Sequence, residues 1–167
     1  MHLPTADDYR RTPGPASRLA WWARGIAPDG TDVDVCVPSV DDWTDEAPDP
    51  ASVALAADLL ADADAVRDEA VAFVLGLVDT ARRPLVGTPE LVSLACHARQ
   101  HRLLVDLNWA SMPDALWTVE VQLHPTLGRR TVGMAVAPWG LRETPWPPER
   151  LVRRDGPSAE DAAPGAS

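Results

Sequence analysis

The chain has 167 residues, 25 of them acidic and 15 basic, for a net charge of −10; that negative excess disfavours nucleic acid and anionic membrane surfaces as partners. The length suits one domain of ordinary size, and no apolar run approaches the ~20 residues of a membrane-spanning helix. The opening MHLPTADDYRR lacks an apolar signal core, and two cysteines, Cys36 and Cys96, are too few for a disulfide framework, so the expectation is a soluble, cytoplasmic, single-domain protein.

Taken in chain order, residues 1–17 carry Pro4, Pro13, Gly14 and Pro15 among charges without periodicity and read as a flexible arm. The folded body is expected over 18–142. In LAWWARGI, Leu19, Trp21 and Ala23 alternate with Ala20, Trp22 and Arg24; beyond the Pro28-Asp29-Gly30 turn, Val33, Val35 and Val37 alternate with Asp32, Asp34 and Cys36. A period of two around turn residues predicts a hairpin with one buried face. Residues 38–49 read as an acidic loop around Trp43.

Asp49-Pro50 then supplies a capping acid and a proline at the first helical position. Val53, Ala56, Ala57 and Leu60 continue at helical spacing, as do Val66, Ala70, Phe73, Val74, Leu77 and Ala81, and Asp62 and Asp64 offer caps that split the region near residue 63 into two helices. Thr88-Pro89-Glu90 repeats the cap-plus-proline signal. With Leu91, Leu94, Ala95 and Ala98 on one face, it predicts a third helix ending near Gln100.

Three strands follow. Leu103, Val105, Leu107 and Trp109 alternate with polar or opposite-facing residues; Trp117, Val119, Val121 and Leu123 do the same after Met112-Pro113-Asp114; Val132, Met134 and Val136 close the meander. Residues 143–167 read as a Pro- and Ala-rich tail. The order ββ-ααα-βββ gives the class α+β: an antiparallel sheet of about five strands, N-terminal hairpin plus C-terminal meander, wet on one face and covered by two or three helices on the other.

The charge is lopsided. Residues 1–79 hold 16 acids against 5 arginines, residues 80–167 hold 9 against 10, and eight acids without a base lie between Asp29 and Asp49. Every base is arginine, a composition typical of a GC-rich bacterial genome. A field of this kind solvates a surface and steers a basic partner toward it. Trp43 stands inside it, an indole among acids suited to anchor an arginine or lysine. The candidate partner-binding residues are therefore Asp41, Asp42, Trp43, Asp45 and Glu46.

No G-x-S-x-G elbow or Gly-rich phosphate loop occurs, so no catalytic residue is assigned and no cofactor is expected. Cys96 reads as a small core residue. His97 and His101 are four apart; on a helix their rings would share a face, the spacing of two-histidine metal sites, although no Glu follows His97 and no further ligand is placed. Asp106 and Asn108 share a strand face, with Glu120 and Gln122 as possible neighbours opposite.

From Thr88 to Trp139, the succession TPEL, LLVDLNW, LWTVEVQLHP and TVGMAVAPW resembles the ending of small α+β bacterial families grouped with immunity-type proteins found beside toxins. The likeness is one of layout and covers about 50 residues plus the preceding helices. It implies a non-catalytic, partner-binding protein and carries no active-site residues over. Two other classes stay open on the sequence: a metal-binding protein or enzyme using His97 and His101, and a structural or assembly subunit.

Overall fold

The computed structural model describes residues 1–11, 21–41, 44–78, 85–138 and 152–153. In chain order these form β1 (Arg10–Arg11), β2 (Trp21–Ile26), β3 (Asp32–Val37), β4 (Ser39–Asp41), β5 (Thr44–Pro48), α1 (Pro50–Ala61), α2 (Ala63–Leu77), β6 (Glu90–His97), β7 (Arg102–Asn108), β8 (Ala115–His124), β9 (Gly128–Pro138) and β10 (Val152–Arg153). The α+β class stands, but the sheet is larger than expected and mixed. Its order is β1-β2-β3-β6-β7-β8-β9-β10, with β4 and β5 forming a separate pair. All neighbours run antiparallel except β3 and β6, which pair in parallel through Asp34–Ser93, Val35–Leu94 and Cys36–Ala95.

That parallel seam corrects the third helix. Glu90–His97 is a strand, followed by a single 3-10 turn over Ala98–Gln100. The physical reason is a β-bulge: Leu91 pairs with Leu107 and Ser93 with Asp106, so Val92 is an extra residue that shifts the alternation. Leu91, Leu94 and Cys96 thereby all face the helices. The spacing of three between the first two imitates a helical repeat. Leu91–His97 is buried throughout, as befits a central strand covered on both faces.

The first helix matches its sequence signals; the second ends at Leu77, and Ala81 lies outside the described residues. Asp49 Oδ2 accepts the Ser52 amide at 2.9 Å and the Ser52 hydroxyl at 2.6 Å, Pro50 fills the first turn, and α1 passes to α2 at Asp62. Helix α1 lies over β3 and β6, and α2 over β7 and β9. Between helices and sheet sits the main core: Ala23, Val33, Val35 and Val37 from the first hairpin, Leu94 and Cys96 from β6, and Leu103, Val105, Leu107, Trp117, Val119 and Val121 from the meander. Trp109 and Trp117 meet edge to face inside it, centroids 5.6 Å apart.

A second bulge shapes β9. Glu120 pairs with Gly133 and Val121 with Thr131, leaving Val132 extra. Arg129 and Thr131 then fall in register with Leu123 and Val121 on the helix side. There Arg129 donates to Glu69 (3.0 and 3.2 Å) and Asp62 (2.9 Å).

The expected arm at 1–17 is not free over its described part, 1–11. His2 and Ile26 exchange backbone hydrogen bonds of 2.9 Å, β1 pairs with β2, and Tyr9 is buried in the core, its phenol pushed well above its ordinary pKa, above all by desolvation. Gly25 makes this possible. A Cβ there would lie 2.3 Å from Leu60 Cδ2 of α1 and 3.3 Å from Pro4 Cδ, so the glycine leaves room for both α1 and the first residues. Of the expected tail, only Val152 and Arg153 are described; they pair with Met134 and Gly133 of β9. Trp139 and Trp146 lie outside the described residues.

Gly76 in the last turn of α2 is the opposite case, with nothing within 4 Å of an added Cβ. Replacing Gly76 with Ala should raise the unfolding free energy by about 0.5–1 kcal/mol through helix propensity and unfolded-state entropy. Urea denaturation checks this; an unchanged or lowered midpoint contradicts it.

Candidate partner-binding site

The segment expected as an acidic loop is a small antiparallel sheet. Ser39 pairs with Pro48 and Asp41 with Thr44, with a register shift between the two. Of the candidate residues, Asp41 belongs to β4, and Asp45 and Glu46 to β5; Asp42 and Trp43, between the register partners Asp41 and Thr44, lie outside the described residues. The hairpin thus brings the backbone of the acidic cluster together in one unit. Between Ser39 and Pro48 the chain carries four acids and no base.

The base of this hairpin is tied to the body. The Asp49 amide donates to the Pro38 carbonyl at 2.8 Å, closing the neck where the chain leaves β3 and enters α1. Trp21 Nε1 donates to Ser39 Oγ at 3.2 Å. From the turn after β6, Arg99 Nη2 donates to the carbonyls of Ser39 (2.9 Å) and Val40 and lies 3.4 Å from Asp49 Oδ1. Ser52 Oγ accepts the Ala98 amide at 3.0 Å, joining that same turn to the start of α1.

Elsewhere the acidic half is partly neutralised by arginines. Arg67 pairs with Asp29, Asp64 and Asp68, and Arg129 with Asp62 and Glu69. Asp29, held also by the Thr31 amide, has its carboxyl below the usual range, with that backbone hydrogen bond the largest cause. The negative excess of residues 1–79 is therefore not a bare face. On the helical side Arg129, from the second half of the chain, offsets one of those charges.

The histidine geometry differs from the helical expectation. His97 ends β6 and is buried, while His101 lies beyond the 3-10 turn with a left-handed backbone (φ 52°) that reverses the chain into β7. The i, i+4 argument for a shared helix face no longer applies. Among the described residues, no group of three or more His, Cys, Asp or Glu is placed to hold a metal ion. Cys96 is fully buried, and desolvation pushes its thiol pKa well up, the reverse of an activated nucleophile.

The sheet face away from the helices differs from the wet surface expected. Ser93, Ala95 and His97 of β6, Leu104 of β7 and Glu120 of β8 are all buried there. Asp106 lies opposite Thr118 rather than Glu120 and accepts the Thr118 hydroxyl and the Ser93 hydroxyl, each at 2.5 Å. Glu120 lies opposite Leu104, and Gln122 opposite Arg102. Arg102 Nη2 sits 2.5 Å from Glu120 Oε1, forming an ion pair whose carboxylate is almost wholly out of solvent. Sequence reasoning missed this pair. Its only signal was the alternation that put Arg102 and Glu120 on the same face.

Comparison with protein-family models, with curated proteins and with solved structures finds no match. No helix among the described residues is long and apolar enough to cross a membrane.

Proposed function

We propose that this protein is a non-catalytic binding module that docks a basic protein partner through the acidic β4–β5 hairpin. One observation carries the reading: Asp41, Asp45 and Glu46 belong to a two-stranded unit that lies outside the eight-stranded sheet, and Asp42 joins them in sequence. Trp43 sits among them in sequence as the aromatic anchor. Clustered like charge speeds encounter with an opposite surface and suppresses wrong partners. An immunity-type protein that occludes the basic site of a toxin is one form of this reading.

The test is charge reversal. Asp41, Asp42, Asp45 and Glu46, changed together to Arg, should abolish capture of the partner at low salt from lysate of the native cell while leaving the unfolding midpoint within a few degrees. Capture by the unaltered chain should fade steeply as salt screens the contact. Equal capture by both proteins, or capture indifferent to salt, overturns the proposal.

A further inference from the structure

The hairpin is joined to the body by two adjacent chain connections, at Pro38 and Asp49, and lies outside the main sheet's ladder. A two-stranded unit is at best marginally stable on its own, so contacts at its base must fix its direction. Arg99 is placed to do this. Its guanidinium reaches two successive carbonyls of β4, Ser39 and Val40, and the carboxylate of Asp49 at the neck. Asp49 is itself immobilised by Ser52, whose hydroxyl accepts the amide next to Arg99. One rigid cluster therefore holds the start of α1, the turn after β6 and the inner strand of the hairpin.

We infer that Arg99 is a latch: a positioning residue that locks the acidic hairpin as an arm in one orientation against the body. Nη2 makes all three contacts: its two in-plane hydrogens can serve the successive carbonyls while the charge stays beside Asp49. A lysine would retain the charge but lose the fixed plane that aims two hydrogens at the successive carbonyls. That the arm presents a binding surface rests on the function proposed above; the latch itself does not.

Amide hydrogen exchange on the full chain tests the latch without any partner. In R99A, amides of residues 39–47 should exchange at least tenfold faster, while those of β6, β7 and β8 keep their rates, because local opening is then decoupled from global unfolding. R99K should give an intermediate acceleration confined to the same residues. Unchanged exchange at 39–47 in R99A overturns the latch. Acceleration spread evenly over the whole sheet also overturns it, since Arg99 would then support the global fold. An R99K protein indistinguishable from wild type overturns the role given to the planar nitrogen. If the hairpin loosens as expected in R99A but the charge-reversed hairpin still captures its partner, the latch survives and the docking proposal falls.

Discussion

Replacing Arg102 with Met should lower the unfolding free energy by about 3–5 kcal/mol, the usual cost of depriving a buried charge of its partner. Glu120 is 1% exposed, and its carboxylate lies 2.5 Å from the Arg102 guanidinium. In the variant, its carboxylate keeps the desolvation penalty and loses the guanidinium. Changing both residues to Met should recover most of the loss, since a well-packed apolar pair of similar volume is often as stable as a buried ion pair. Denaturant titration of the two single variants and the double variant closes the cycle. A double variant as unstable as the sum of the singles would show that the two side chains act independently.

An effect of similar size is expected at Trp117. Truncation to Ala should cost about 3–5 kcal/mol, the range for a fully buried large aromatic, and lower the melting temperature by about 10 °C for a chain of this length. The loss is one of packing. Trp117 is fully buried against Trp109, and its indole N–H has no hydrogen-bond partner among the described residues. Trp22, in the first hairpin, is the control. At 37% exposed it stands on the opposite face, and W22A should stay within about 1 kcal/mol of the parent, near the range for surface positions. Equal losses at the two positions would contradict the division of faces, and calorimetry decides it.

That division of faces was legible in the alternation of Leu103, Val105 and Leu107 and of Trp117, Val119 and Val121, all of which point to the helices. Asp49-Pro50 was legible as a helix start because capping chemistry is local; Asp62 does mark the boundary between the helices, but its side chain pairs with Arg129 instead of capping. The errors arose where a nonlocal partner decides. Val92 bulges because β6 must match β7, and the resulting Leu91–Leu94 spacing is indistinguishable in sequence from a helical stripe. The pairing of β6 with β3 lies across more than fifty intervening residues, beyond the reach of periodicity. Of the candidate site, the acids were visible by composition, whereas their gathering on a separate hairpin was not, since Asp and Glu are poor strand formers and Trp43 offers no turn signal. Arg99 gave no signal at all. A lone arginine after a strand is informative only once its acceptors, the carbonyls of residues 39 and 40, are placed.

The parallel β3–β6 seam also bears on how the chain can be taken apart. The acid-rich portion ends its contribution to the large sheet at Val37, and the nearly neutral portion begins its own at Glu90. Among the described residues, their strand-to-strand junction in that sheet is the inner β3–β6 seam. A cut anywhere between would expose a raw inner border on each fragment, an invitation to self-association. The two portions differ sharply in electrical character, yet neither is a separable module.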